Sequence, residues 1–331
     1  MLATSDLGKV ASGFQRFPLL LVPVLFGLIA GREAVRVIEW RLLLRQLGVR
    51  ARWRHTILAL LGGDAAQLVP GGIYLSNLLL KREEEANMAR SLAATSATQL
   101  LEAFICLAVL AIVGVARWPW MRPVAAVVLA GFCGFLILIT RPATLQWLRR
   151  KHAPRRILDR LRDGLKQFLE GMEGLFDAWL IARAGALAAA HLAFTVAALY
   201  IISLGVGIDD ITWTQVAAIY SFVLALVNLS PLPTDLGVSE GGGTSIFVAT
   251  GVDQSQGLTA MLLIRFAIIF ATGLLFLLAL AVFPREVKHL TEGPNPADAA
   301  ANAAADPNAR PQPEAAKGTS SSSPATGTTA A

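Results

Sequence analysis

The stretch NLSPLPTDLGVSEGGGTS, residues 228–245, decides how this chain folds. It follows the apolar run WTQVAAIYSFVLALV and precedes another, IFVATGV. Two prolines, two acids and four glycines therefore interrupt hydrophobic sequence. The surroundings are those of a membrane protein: 55% of residues are hydrophobic and only 16% are charged. Soluble domains carry roughly a quarter charged residues. Mean hydropathy is +0.57. A helix needs about 20 apolar residues to span a bilayer, and the runs at 17–31, 91–115, 123–140, 186–205 and 258–283 approach or exceed that length. The first is extended as continuous helix by the amphipathic VIEWRLLLRQLG, and no small-residue cleavage site follows it, so it does not read as a signal peptide.

The net charge of +6 is placed around these runs. Arg32, Arg36, Arg41, Arg45, Arg50, Arg52 and Arg54 follow the first, and a second basic stretch, including RRKHAPRR, fills 141–185. Read as loops flanking spans, both are cytoplasmic by the excess of Lys and Arg inside, and the charge is not a nucleic-acid footprint. Three apolar segments lie between them, 56–80, 91–115 and 119–140, and only two crossings return the chain to the same side. The segment that does not cross is 56–80, whose centre, GGDAAQLVPGG, would expose unpaired backbone groups to lipid. It reads as a re-entrant pair of half-helices. The same count makes 213–257 a second re-entrant segment, entered from the outside, because Arg285 and Lys288 place the end of 258–283 in the cytoplasm.

The expected fold is thus all-α and polytopic, with about five full transmembrane helices plus two Pro/Gly-broken re-entrant segments in an inverted repeat. An N-terminal segment 1–16 precedes a membrane domain, 17–285, with halves 17–140 and 186–285 joined by the basic amphipathic segment 141–185. Residues 291–331 hold no Leu, Ile, Val, Met or aromatic residue and read as a disordered cytoplasmic tail. Broken segments at matching positions of inverted repeats mark midplane binding sites. Cys106 and Cys133 both lie inside apolar runs and suggest neither disulfide nor metal site.

PLPTDLGVSEGGGTSIFVATGV resembles the Pro-Gly-Gly-hydrophobic-Gly-hydrophobic-x-Glu motif of the lysylphosphatidylglycerol synthase transmembrane-region family. EWRLLLRQLGVRARW, the Pro70-Gly71-Gly72 triplet and the helix around TQLLEAF are similar to that family in order, so the resemblance covers roughly residues 20–285. Thr234-Asp235 stand where the family usually has a Gly pair. Thr98-Gln99 stand where an acid-Arg pair is common, with Glu102 keeping the following acid. The resemblance implies a stand-alone lipid flippase-like protein without a synthase domain. Its substrate would be an anionic, aminoacylated, or polyisoprenoid or hopanoid lipid.

Candidate substrate-binding residues are Pro70, Gly71, Gly72, Glu102, Pro233, Asp235, Gly237, Glu240, Gly241, Gly242, Gly243 and Arg265. A short helix at about 244–250 would present free N–H groups to a phosphate or other anion, and the glycines before it would serve close approach or simple helix packing. Glu240 either balances a cationic headgroup, carries a proton, caps a helix or joins a structural ion pair. Arg265 either pairs with Glu102 or holds a lipid phosphate. Asp64 and Asp235 face a wet cavity or cap half-helices, and His191 reads as a packing histidine rather than a proton relay. Nothing points to a catalytic centre, a cofactor or a metal: the chain has no Walker motif, no G-x-S-x-G elbow and no His pair at ligand spacing. The rival class is a non-transporting scaffold, docking a lipid-synthesis or glycosyl-transfer enzyme on 149–166. The expected location is the inner membrane.

Overall fold

The computed structural model describes residues 7–66, 75–84, 88–114, 177–229 and 237–284, with Pro123, Ala126 and Ala130 as isolated positions. The expected span 123–140, the docking segment 149–166 and the tail 291–331 fall outside this range but for those three residues. Among the described residues the fold is helical and without strands. In chain order the α-helices are α1 (Leu7–Arg16), α2 (Val22–Gln46), α3 (Trp53–Ala65), α4 (Leu75–Glu84) and α5 (Met88–Val109), which runs into a π-turn at Leu110–Gly114. After the undescribed stretch come α6 (Ala178–Gly205), α7 (Trp213–Leu229), α8 (Val238–Ala249) and α9 (Gln254–Val282).

Three stretches are long and apolar enough to cross a membrane: Met88–Val113, Trp179–Gly205 and Gln254–Val282. The protein is therefore a multi-pass membrane protein. The outer face of α9 shows why this helix seeks lipid: Phe266, Phe270, Leu274 and Leu277 follow one another along it and are exposed. Its inner face instead carries Gly257, Ala260, Ile264, Ala271 and Thr272, small or aliphatic residues that admit close neighbours. By contrast α3 has 13 residues and α8 has 12, roughly 20 Å of helix each at 1.5 Å per residue. Neither reaches across about 30 Å of hydrocarbon.

Both Pro/Gly-broken segments fold as helix pairs. Across the first break α3 packs on α4, and across the second α7 packs on α8. The approach is set by a glycine facing a leucine in each pair, on opposite arms. A Cβ on Gly62 of α3 would lie 3.0 Å from Leu79 of α4, and one on Gly242 of α8 would lie 2.8 Å from Leu226 of α7. The longer contacts follow the same exchange. α3 packs on α9 and α7 on α5; α2 packs on α5 and α6 on α9; α4 packs on α5 and α8 on α9. The most extensive pairing joins α2 to α6 themselves.

Two apolar cores divide the bundle lengthwise. One gathers the second half of α2 with α3, Leu80 of α4, Ala93 and Ala97 of α5, and Leu180 and Ala184 at the start of α6. The other gathers Leu25, Cys106, the C-terminal half of α6 and buried residues of α7, α8 and α9. The α3–α4 pair thus belongs to one end of α5 and α6, and the α7–α8 pair to the other.

Candidate functional site

Helix α8 begins six residues earlier than expected, at Val238. The reason lies in its first turn. Gly237 takes φ +84°, a conformation that favours glycine, and its N–H donates to Glu240 Oε2 at 2.7 Å. A carboxylate at the third helical position reaching back to the N-cap N–H satisfies one of the orphan donors of the helix start. Gly241, Gly242 and Gly243 are consequently inside the helix rather than ahead of it. The expectation of an open, anion-seeking N-terminus at about 244 is corrected: the helix begins elsewhere, and its own Glu240 occupies the positive end.

The three glycines have different surroundings. A Cβ on Gly243 would lie 2.5 Å from the Met261 sulfur, and Gly242 abuts Leu226, so both serve packing. Around Gly241 no heavy atom of the described residues lies within 4 Å of such a Cβ. Among the described residues, nothing packs against that face of α8.

Arg265 of α9 completes this cluster. Its Nη1 donates to Glu240 Oε1 at 2.5 Å and to Ser239 Oγ at 2.9 Å, and Ser239 Oγ in turn donates to Glu240 Oε2 at 3.0 Å. The side chains of Arg265 and Glu240 keep 17% and 11% of their exposure, enough for a polar group to approach. Of the twelve residues singled out in the sequence, the fold brings together Gly237, Glu240, Gly241 and Arg265. Gly242 and Gly243 lie against neighbouring helices, while Pro70, Gly71, Gly72, Pro233 and Asp235 lie outside the described residues.

Glu102 is elsewhere, and the Glu102–Arg265 pairing is corrected. Glu102 Oε1 on α5 lies 3.3 Å from Nε2 of His191, at the middle of α6. This contact belongs to a second polar centre between the two apolar cores. Arg32 of α2 pairs with its neighbour Glu33, Glu33 Oε1 accepts from the Thr272 hydroxyl of α9 at 3.2 Å, and Arg36 Nε lies 3.7 Å from Asp64 of α3. Glu39 is also inside, 2% exposed, within electrostatic reach of Arg36 and Glu102. The reading of the basic residues after the first apolar run as loop charges is corrected for Arg32, Arg36 and Arg41. They lie within α2 and are buried.

Two signals in the sequence could have found these residues. Ile29, Arg32, Glu33, Arg36, Trp40, Leu43 and Leu44 recur at three- and four-residue spacing, so the charges share a face with the apolar residues. The stretches PGGIYLSN (70–77) and PTDLGVSE (233–240) also align without a gap, matching Pro70 with Pro233, Ser76 with Ser239 and Asn77 with Glu240. Asn77 has a tether comparable to that of Glu240. Its Oδ1 accepts from Thr95 of α5 at 3.0 Å, and Thr95 Oγ1 accepts from Trp40 Nε1 of α2 at 3.1 Å.

These features define a polytopic helical membrane protein with charged centres held inside its bundle. The chain belongs to the family described as the lysylphosphatidylglycerol synthase TM region, whose model matches residues 1–283. That family is a membrane domain associated with lipid handling. No curated protein matches the chain.

Proposed function

We propose that this protein translocates a lipid, or a lipid-linked molecule, between membrane leaflets. The observation that carries the reading is the placement of the two helix pairs in opposite apolar cores, with exchanged packing partners. Two short helix pairs seated at opposite ends of the same long helices are what an inverted repeat of re-entrant segments requires. The chain then has five full spans, with 123–140 as the fifth, in an inner membrane and with its tail in the cytoplasm. It acts without enzymatic chemistry on the lipid.

In this reading the headgroup enters at Gly241, beside the Glu240–Arg265 pair, and Pro70, Gly71 and Gly72 remain its expected contacts from the other half. Arg265 is the donor best suited to a phosphate oxygen, since its planar guanidinium donates in two directions. Binding of an anion there exchanges Glu240 for the ligand as its partner. The Glu240 carboxylate remains anchored on the Gly237 N–H.

The test is transport of headgroup-labelled phosphatidylglycerol in proteoliposomes of the purified full-length chain, read by quenching of the outer leaflet. Wild type should exchange the labelled lipid, and Glu240→Ala and Arg265→Ala should each slow exchange by about tenfold or more. Unchanged rates in both variants would remove this site. Failure of the wild type to exchange labelled lipid, while folded, would overturn the function.

A further inference from the structure

Among the described residues, the charges between the two cores do not balance. Glu33, Glu39, Asp64 and Glu102 supply four carboxyl groups against the two guanidinium groups of Arg32 and Arg36. All are largely buried, and with every acid ionised and His191 neutral the cluster would carry two uncompensated negative charges. Uncompensated charge in so dry a place is strongly disfavoured, and side chains neutralise rather than bear it. Glu33 and Asp64 stand within electrostatic reach of each other, and a proton on either carboxyl relieves the repulsion of two like charges in a buried place. Hydrogen bonding points the same way. Oxygen Oε1 of Glu39 and both ring nitrogens of His191 are buried without a hydrogen-bond partner among the described residues. Glu39 Oε1 and whichever imidazole nitrogen of His191 lacks a proton can each accept one at the middle of the bundle.

We infer that this cluster is an exchangeable proton site, with Glu33–Asp64 and Glu102–His191 as its two proton-bearing pairs, and that lipid translocation is driven by a proton gradient. The inference rests on the proposed transport function. The groups facing the pairs are Arg32, Arg36 and Glu39 from α2, Asp64 from α3, Glu102 and Cys106 from α5, His191 from α6 and Tyr220 from α7. The Thr272 hydroxyl faces Glu33 from α9. Because these groups come from both halves, a rocking of one half against the other changes which partners each acid meets. A proton taken up by Glu102 or His191 from one side is given up to the other when the partners exchange. An O–H or N–H bond forms when the proton is taken up and the same bond breaks when it is released, so the step needs no oxidant, reductant or leaving group. Ionisable groups at membrane depth that pair with one another are the usual substance of such relays.

Two measurements on the full-length chain test this. In proteoliposomes carrying headgroup-labelled phosphatidylglycerol, an imposed pH gradient of one polarity should speed exchange several-fold, and a protonophore should abolish the increase. Glu33→Gln and Asp64→Asn should each lose that response. Exchange that proceeds at one rate with and without the gradient, or that follows a sodium gradient instead, overturns proton coupling while leaving the transport function intact. The second measurement needs no transport. Infrared difference spectra of the wild type in lipid should show a carboxylic-acid C=O band at neutral pH that is removed by Glu33→Gln or Asp64→Asn. A wild type without this band has no shared proton and overturns the site directly. A band present without any lipid exchange would instead locate the failure in the transport reading.

Discussion

At the scale of single residues, Gly241 and Gly243 occupy one short helix and do opposite things. A methyl group at Gly243 meets Met261, whereas one at Gly241 meets open space. Gly243→Ala should therefore destabilise the protein by about 1–3 kcal/mol, the usual cost of overpacking, visible as a lower midpoint in detergent melting. Gly241→Ala should leave that midpoint unchanged or raise it, since alanine in a helix is favoured over glycine by about 0.5–1 kcal/mol. A fall at Gly241 comparable to that at Gly243 would show that its face is packed after all. The Glu240–Arg265 pair permits a sharper experiment. Removing one partner leaves the other in a sparsely solvated place, so Arg265→Ala combined with Glu240→Ala should cost less than the sum of the two single changes. A coupling of about 1–3 kcal/mol is expected for residues sharing a hydrogen-bonded pair, and additive effects would mean the pair contributes nothing to the fold.

At the scale of elements, the helix pairs depend on contacts too close for side chains. A Cβ on Gly63 of α3 would come within 2.8 Å of the Ser76 Cβ and 3.0 Å of the Ser76 backbone nitrogen on α4. Backbone cannot swing aside as a flexible side chain can, so Gly63→Val should splay the pair. Cysteine cross-linking between α3 and α4 would then drop sharply. Retained cross-linking with an unchanged melting midpoint would refute the close approach. The tether at the start of α4 is weaker. Asn77→Ala removes one hydrogen bond to Thr95, a loss of about 1 kcal/mol, measurable as a small decrease in thermal midpoint.

For the whole molecule, the arrangement of the two helix pairs can be read by labelling. In a chain lacking Cys106 and Cys133, single cysteines at Arg50, Lys81, Asp210 and Gln256 report the ends of the broken segments. The proposed inverted repeat predicts that 50 and 81 label from the cytoplasmic side, and 210 and 256 from the opposite side. A pair split across the membrane would make that segment a span and remove the repeat.

Hydropathy and backbone chemistry are local properties, and what they dictate was legible from the residues alone. Apolar runs made α5, α6 and α9 membrane-length helices, and the Pro/Gly-rich stretches fell between α3 and α4 and between α7 and α8, although Gly62, Gly63, Gly241, Gly242 and Gly243 proved to lie within those helices. Family membership was legible too, because the motif around Glu240 is contiguous. The partners of charged residues are not local. Arg265 meets Glu240 rather than Glu102 because α8 packs on α9 at that level, while α6 brings His191 to Glu102. Arg32 and Arg36 read as loop charges because a count of basic residues carries no information about which face of a helix they occupy. Only the packing of α2 against α6, α5 and α9 turned those charges inward, where Glu33 beside Arg32 and Asp64 of α3 beside Arg36 offset part of the cost of removing them from water.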